Sequence, residues 1–203
     1  MRLAILLSGR GSNFLAIHEA IASGELHAEI ALVVSNRPDA PGLEIARNAR
    51  YPSHAIDHRQ YASRAAHEDA VIDQLDSARV DYICLAGYMR LLTPQFVARF
   101  HQRILNIHPS LLPSFPGVDA QLQAVMHGVR VSGCTVHLVD ENLDAGPILV
   151  QRAVEVREDD DEASLAARIL EEEHVAYVEA LIRLSRGKPR VEGRRVIFSS
   201  RSE

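Results

Sequence analysis

Two side chains at the end of an apolar segment have the chemistry of an acyl-transfer centre. Asn106 and His108 are two positions apart where a predicted strand ends, and residues at that spacing point to the same side of a strand. The Asn106 amide and a protonated His108 can both donate hydrogen bonds to the oxyanion of a tetrahedral intermediate, and the imidazole can also move a proton. A lone His-Pro pair at a strand end has a structural role as often as a catalytic one. The neighbouring asparagine favours the catalytic interpretation.

A carboxylate in a later turn could complete this centre. Asp144 lies in the turn of residues 140–147, between two segments that are predicted to form a hairpin. If the hairpin lies beside the strand that ends at His108, Asp144 could orient the imidazole, favour its cationic form and relay a proton. A single aspartate in a turn would more often be structural, so this interpretation depends on the three residues occurring together.

The glycine-rich turn of residues 8–13 indicates an anion site. It reads Ser-Gly-Arg-Gly-Ser-Asn and joins a predicted strand to a predicted helix, whose free N–H groups and positive dipole end suit a phosphate. Phe14 replaces the third glycine of a dinucleotide fingerprint, and the second strand ends without the acidic residue that would hold a ribose. The turn therefore favours a phosphomonoester over a dinucleotide, with a turn that binds nothing as the alternative.

The elements that must position these residues alternate between strands and helices. Apolar runs predict strands at residues 3–7, 30–34, 53–56, 82–85 and 103–107, and helical periodicity predicts helices at 13–22, 42–49, 61–75 and 94–100. This alternation predicts an α/β fold with a mostly parallel central sheet covered by helices on both faces. Ligands of such sheets bind at the C-terminal ends of the strands, so we expect the three segments to meet at one rim.

The second half of the chain predicts a change to antiparallel strands. Residues 131–139 alternate in polarity and residues 148–156 follow across a turn, which predicts a hairpin that continues the sheet. The acidic run 158–162 opens a long helix that extends to about residue 185. The arginine-rich stretch 183–201, which we interpret as a solvated edge, contains a last predicted strand at 195–198.

Composition and charge exclude several classes of protein. The 203 residues are 47% hydrophobic and 24% charged, which is typical of one globular domain. The net charge of −5 argues against a nucleic-acid binder, and the apolar run 3–7 is too short for a signal peptide or a membrane span. Cys84 and Cys134 lie in strand-like runs, as expected for buried, reduced thiols of a cytoplasmic protein. The ten histidines show no metal-ligand spacing, so we expect no metal site.

The three segments, in this order and spacing, resemble the glycinamide ribonucleotide formyltransferases of the folate-dependent formyltransferase superfamily. The resemblance extends from Arg2 to about Arg186 and is carried by Leu-Asn-Ile-His-Pro-Ser-Leu-Leu-Pro, Leu-Asp-Ala-Gly-Pro-Ile and the glycine-rich turn. It implies a single domain with a Rossmann-like sheet. A nucleotide-phosphate half would occupy about residues 1–100, a catalytic and folate half about 101–186, and a tail 187–203.

The resemblance also implies a reaction and a set of site residues. The chain would transfer the formyl group of 10-formyltetrahydrofolate to the primary amine of glycinamide ribonucleotide in purine biosynthesis, without a metal. Asn106, His108 and Asp144 would be the catalytic residues. The ribonucleotide would contact Gly11, Ser12 and Asn13 through its phosphate and Glu173 through its glycinamide end. The folate would contact Arg64, Met89, Arg90, Leu91, Leu92, Asn106, Asp140, Glu141, Asn142, Leu143 and Asp144.

The same resemblance predicts the partners of the protein. We expect small-molecule substrates, no nucleic acid, no membrane, and a monomer or weak homodimer in the cytoplasm. The sequence departs from the family around residues 116–121, where relatives often carry histidine, so no role is assigned to Asp119 or Gln121.

Other members of the superfamily are the alternatives. A formyltetrahydrofolate deformylase is expected to begin with a regulatory domain and a methionyl-tRNA formyltransferase to end with a tRNA-binding domain. A sugar-nucleotide formyltransferase has no evident need for the glycine-rich turn. A non-catalytic nucleotide-binding module has little need for Asn106, His108 and Asp144 together.

Overall fold

A computed structural model describes residues 1–198, which form parts of two compact units. The first unit comprises residues 1–105 and the second begins at Asn106. The end of the predicted tail, residues 199–203, lies outside the described residues.

The first unit is an alternating β/α structure with parallel strands. Strand β1 pairs in parallel with both β2 and β4, and β2 pairs in parallel with β3, which gives the order β3-β2-β1-β4. The strands are β1 (Arg2–Leu7), β2 (Glu29–Ser35), β3 (Ser53–Ala55) and β4 (Tyr82–Leu85). The helices are α1 (Ser12–Ala22), α2 (Pro41–Asn48), α3 (Arg64–Ala78) and α4 (Pro94–Arg99). The predicted parallel arrangement is confirmed.

Local sequence explains where these elements begin. After Arg2, the central strand β1 is apolar, and the residues from Leu3 to Leu7 are fully buried, as expected when both faces of a parallel strand are covered. Thr93 caps α4 by accepting a hydrogen bond from the Phe96 N–H. The start predicted for α3 at residue 61 is wrong, because the Ser63 hydroxyl caps the helix by accepting from the Ala66 N–H at 3.1 Å.

Strand β5 (Ile104–His108) crosses the division, and the second unit continues with antiparallel pairing. The predicted hairpin is present as β6 (Val131–Leu138) and β7 (Ile148–Glu155), and the later strands β8 (Arg190–Glu192) and β9 (Arg195–Ile197) also pair antiparallel. Strand β8 and the short helix α5 (Ala120–Met126) have no counterpart among the elements predicted from the sequence.

The long helix α6 (Glu162–Ser185) packs on the hairpin of the second unit. It begins with a capping box in which the Asp161 carboxylate accepts from the Ser164 N–H at 2.8 Å and the Ser164 hydroxyl accepts from the Asp161 N–H. The acidic start predicted for this helix is confirmed. The thiols of Cys84 and Cys134 are both buried, and within residues 1–198 no helix is both long and apolar enough to cross a bilayer.

His67, on α3, is buried in its neutral form. Its Nε2 lies 2.9 Å from the carbonyl oxygen of Ile56, and because a carbonyl oxygen only accepts, Nε2 carries the proton. The rings of His58 and Tyr61 pack edge-on against it. Burial lowers the pKa of the His67 imidazole, since the charged form would lose its hydration.

We expect acid to destabilise the protein partly through His67. An unfolded histidine titrates near pH 6.5, whereas folding lowers the pKa of His67, so below about pH 6.5 the unfolded state binds more protons and the free energy of unfolding falls as the pH falls. His67→Gln should reduce the slope of this free energy against pH by up to about 1.4 kcal/mol per pH unit. Urea unfolding at about pH 7.5, 6.5 and 5.5 measures the slope.

The exposed His101 provides the matched control. His101→Gln should keep the pH dependence of the parent protein, because its ring is hydrated in both states. If His67→Gln also keeps the parent slope, His67 does not contribute to the acid sensitivity.

Candidate active site

The end of β5 brings the predicted imidazole and carboxylate together. The Nδ1 atom of His108 lies 3.4 Å from Oδ2 of Asp144, and both side chains are almost completely buried. His108 is the last residue of β5, while Asp144 lies in the turn that joins β6 to β7. The hairpin therefore delivers the carboxylate to the strand end, as the sequence predicted.

The second ring nitrogen of His108 contacts the backbone. Nε2 lies 2.8 Å from the carbonyl oxygen of Phe115. Because a carbonyl oxygen only accepts, Nε2 carries the proton and donates a hydrogen bond to that oxygen. Phe115 has a φ of 51°, a left-handed conformation that is uncommon for a bulky side chain. The Ser110 hydroxyl donates to the Ser114 carbonyl oxygen at 2.5 Å, which fixes the segment between His108 and Phe115.

Asn106 contacts a histidine that the sequence analysis did not predict for the site. The amide nitrogen Nδ2 of Asn106 lies 3.3 Å from Nε2 of His137 on β6. The other ring nitrogen of His137, Nδ1, lies 3.0 Å from the carbonyl oxygen of Leu138 and therefore carries the proton. Nε2 is then the acceptor for one Asn106 N–H, and the second N–H of the amide keeps its capacity to donate.

The environment of His137 favours the neutral ring that this arrangement requires. Burial lowers its pKa as the largest effect, and the positive form of His108 would lower it further. The Leu138 carbonyl and Asp144, whose Oδ1 lies 3.8 Å from Nε2, act in the opposite direction. The available signal in the sequence was a histidine inside the uncharged strand β6, two residues after Thr135 and therefore on the same face of the strand.

The turn that carries Asp144 depends on two features of backbone geometry. Asp144 has a φ of 50°, and the Gly117 N–H donates to its Oδ2 at 2.8 Å. A Cβ atom on Gly146 would lie 1.8 Å from the carbonyl oxygen of Leu138, so only glycine permits this close approach. Within the same turn, the Asn142 N–H donates to Asp140 at 2.8 Å. The turn is thereby held with its carboxylate toward His108.

The predicted phosphate residues lie together in the first unit. Gly11 is the N-cap of α1, with a φ of 76° and no side-chain hydrogen bond to the helix, and Ser12 and Asn13 form its first turn. The turn packs against α2, where a Cβ atom added to Gly11 would lie 3.2 Å from the Cα of Gly42. A helix start whose N-cap residue makes no side-chain hydrogen bond has the geometry and the dipole for an anion.

The predicted folate residues of the first unit lie on α3 and on the loop between β4 and α4. Arg64 is the exposed first residue of α3. On the loop, Met89 is 79% exposed and Leu91 is 59% exposed, although both are apolar. Two exposed apolar side chains in one short loop are consistent with a surface that contacts a flat organic ligand.

Glu173 is buried on α6 in the second unit, in the neighbourhood of Cys134. Burial raises the pKa of the Cys134 thiol to about 12, and the charge of Glu173 contributes to this rise. The thiol is therefore protonated at neutral pH. Among residues 1–198, no group of three or more histidine, cysteine, aspartate or glutamate side chains has an arrangement that could hold a metal ion.

The α/β fold and its cluster of amide, imidazole and carboxylate define a class: an α/β protein that carries the groups for acyl-transfer chemistry at a strand end. Comparison with known proteins then gives the family. The family described as Formyl transferase matches residues 1–181, and phosphoribosylglycinamide formyltransferase of Bacillus subtilis is 44% identical over 87% of this chain and 90% of its own length. The chain belongs to the formyl transferase family.

Two further comparisons extend this result. Glycinamide ribonucleotide transformylase 1 from Symbiobacterium toebii has a solved structure that superposes with a TM-score of 0.96 at 46% identity, covering 98% of this chain and 94% of that one. The trifunctional purine biosynthetic protein adenosine-3 of Drosophila melanogaster is 47% identical over 92% of this chain. This chain spans only 14% of the length of that relative.

Proposed function

We propose that this chain transfers the formyl group of 10-formyltetrahydrofolate to the primary amine of glycinamide ribonucleotide, a step of purine biosynthesis. The observation that carries the proposal is the pair of His108 and Asp144, 3.4 Å apart at the end of β5 in a member of the formyl transferase family. The names of the Bacillus subtilis and Symbiobacterium toebii relatives support the same acceptor.

The reaction begins when the substrate amine attacks the formyl carbon, which produces a tetrahedral intermediate with a negatively charged oxygen. Asn106 stabilises this oxygen with the N–H that is not directed at His137. His108 stabilises it through Nε2, which exchanges the Phe115 carbonyl oxygen for the oxyanion. Asn106 is held by His137 before the reaction, so this donor needs little reorganisation when the charge develops, whereas His108 must first give up its hydrogen bond to Phe115.

Asp144 orients His108 and assists the movement of protons. Its carboxylate faces Nδ1 of the imidazole and attracts the positive charge of the protonated ring. As the intermediate breaks down, the attacking nitrogen loses a proton, N10 of the folate gains one, and the bond between N10 and the formyl carbon breaks. Asp144 and His108 provide the relay for this transfer, through water where needed.

The substrate contacts follow the residues that the family resemblance marks. The phosphate of the ribonucleotide binds at Gly11, Ser12 and Asn13, where the N-cap Gly11 makes no side-chain hydrogen bond to the helix. The pterin ring binds on the loop of residues 89–92, whose apolar side chains are exposed and whose peptide groups can meet its polar edge. The roles of Arg64, Glu173 and residues 140–143 remain predictions from the resemblance.

The proposal includes the setting of the reaction. The chemistry uses only small-molecule substrates and residues of the chain, without a metal ion, a nucleic acid or a membrane. We place the protein in the cytoplasm, where its two buried thiols stay reduced, and propose that it acts as a monomer or weak homodimer.

An absorbance assay of folate conversion tests the function directly. We expect 10-formyltetrahydrofolate to be converted to tetrahydrofolate only when glycinamide ribonucleotide is present, because the amine is the nucleophile. Equal conversion without the ribonucleotide would identify a deformylase, and conversion only with an amino-sugar nucleotide would identify a sugar-nucleotide formyltransferase. Either result contradicts the proposal.

Removal of either oxyanion donor should abolish most of the activity. We expect His108→Ala and Asn106→Ala each to lower kcat by about a hundred- to a thousandfold, the usual loss for one such donor. Steady-state kinetics measure the loss, and circular dichroism checks that the variants are folded. His101→Ala, at an exposed position shortly before β5, is the control that should keep the parent rate. A folded His108→Ala variant within about tenfold of the parent rate would exclude the proposed role.

A negative charge at the start of α1 should weaken binding of the phosphate. Ser12→Asp places a carboxylate where the ribonucleotide phosphate binds, so the KM for the ribonucleotide should rise much more than the KM for the folate. Ser23→Asp adds the same charge at the opposite end of the helix and should change neither KM by more than about twofold. Equal effects of Ser12→Asp on both substrates would argue against a phosphate site at this turn.

A further inference from the structure

Ser8 opens the glycine-rich turn, but its hydroxyl is already engaged elsewhere in the first unit. The residue follows β1 and is 4% exposed. Its Oγ donates to Oδ1 of Asn36 at 2.5 Å and accepts a hydrogen bond from the Met89 N–H at 2.8 Å. A hydroxyl has a single hydrogen to donate, so Ser8 has no donor left for a phosphate oxygen.

The order of the strands explains these contacts. Strand β1 lies between β2 and β4, and parallel strands end at the same edge of the sheet. Asn36 immediately follows β2 and the loop containing Met89 follows β4, so the residue after β1 can contact both. Asn36 is itself buried, and its backbone carbonyl oxygen lies 3.0 Å from Nδ1 of His58.

The loop that contains Met89 is anchored at both ends by polar contacts. At its start, the Ser8 N–H donates to the Gly87 carbonyl oxygen at 3.0 Å, and the Met89 N–H donates to the Ser8 hydroxyl. At its end, the buried carboxylate of Glu68 accepts from the Thr93 N–H at 3.0 Å and from the Thr93 hydroxyl. Residues 89–92 lie between the two anchors.

The glycine-rich turn is fixed by a different set of bonds. The Gly42 N–H donates to the Gly9 carbonyl oxygen at 3.1 Å, and the Leu15 N–H donates to the Gly11 carbonyl oxygen at 2.9 Å. Neither bond involves the hydroxyl of Ser8. The turn should therefore keep its shape when that hydroxyl is removed, whereas the loop of residues 89–92 loses one of its anchors.

We propose that Ser8 is a positioning residue for the loop of residues 89–92, and not a ligand of the phosphate, although it belongs to the phosphate-binding motif. The proposal rests on the proposed function, in which this loop binds the pterin of the folate. By accepting from the Met89 N–H, the Ser8 hydroxyl fixes the peptide groups of the loop before the folate arrives. It acts on folate binding through Met89 and takes no part in the chemical step.

The test compares the kinetic constants of Ser8→Ala with those of the parent enzyme. We expect the KM for 10-formyltetrahydrofolate to rise about three- to tenfold, the factor in an equilibrium constant that one such hydrogen bond provides. The KM for glycinamide ribonucleotide and kcat should both stay within about twofold of the parent values. A general loss of structure would not raise the KM for the folate and leave the KM for the ribonucleotide unchanged.

Ser35→Ala is the matched control. Ser35 is a buried serine at the end of the neighbouring strand β2, and its hydroxyl accepts from the Arg37 N–H at 3.0 Å and donates to the Arg37 carbonyl oxygen at 2.9 Å. Its removal deletes a comparable buried hydroxyl without touching the loop of residues 89–92. Both KM values should therefore remain at the parent level.

The outcomes separate this inference from the proposed function. If the parent enzyme transfers formyl groups and Ser8→Ala raises the KM for the ribonucleotide as much as that for the folate, or leaves the folate KM unchanged, the inference is wrong and the proposed function stands. If the parent enzyme does not transfer formyl groups, the proposed function itself fails.

A second substitution at the same position covers the case in which Ser8→Ala does not fold. Ser8→Cys keeps a buried side chain of similar shape but offers the Met89 N–H only a weak acceptor. It should shift the folate KM in the same direction by a smaller factor, again without changing the ribonucleotide KM. Parent values for both substrates in Ser8→Cys would overturn the inference.

Discussion

The buried carboxylate of Asp144 is the interaction on which the candidate active site depends. Burial of a carboxylate away from water costs free energy unless its oxygens accept hydrogen bonds or face positive charge. In this site Oδ2 accepts a hydrogen bond from the Gly117 N–H and faces His108, while Oδ1 faces His137. The charge thereby links the end of β5, the segment at Gly117 and strand β6 within the second unit. The left-handed conformation of Asp144 persists because these contacts compensate for it.

Two histidines in one cluster have different roles because their ring nitrogens face different atoms. His137 directs one nitrogen at a carbonyl oxygen and the other at an amide N–H, so a neutral ring satisfies both partners. His108 faces a carbonyl oxygen and a carboxylate, so a ring that is protonated on both nitrogens can serve both. The first arrangement suits a group that fixes Asn106, and the second suits a group that stabilises negative charge.

The sequence predicted those parts of the fold whose signal is local and periodic. The βα alternation of the first unit and the hairpin were predictable, because strand patterns and turn residues determine them. The convergence of His108 with Asp144 was predictable only on the condition that the hairpin lies beside β5. Helix α5 was not predicted, because only Ala120 and Ala124 are buried along its seven residues and the sequence therefore shows no apolar stripe. The contact of His137 with Asn106 could not be predicted, because it joins different strands and depends on which nitrogen carries the proton.

The glycine-rich turn shows why a motif that is continuous in sequence need not serve one ligand. Residues after Gly11 enter α1 and present its N–H groups, whereas Ser8 still belongs to the edge of a parallel sheet. At that edge the strand order decides the neighbours, so the Ser8 side chain meets Asn36 and Met89 instead of the helix start. The hydroxyl groups of Ser8 and Ser12 are four residues apart in the motif, but topology assigns them to different surroundings. The function of each polar residue in such a turn therefore follows from its hydrogen-bond partners, and the motif alone cannot define it.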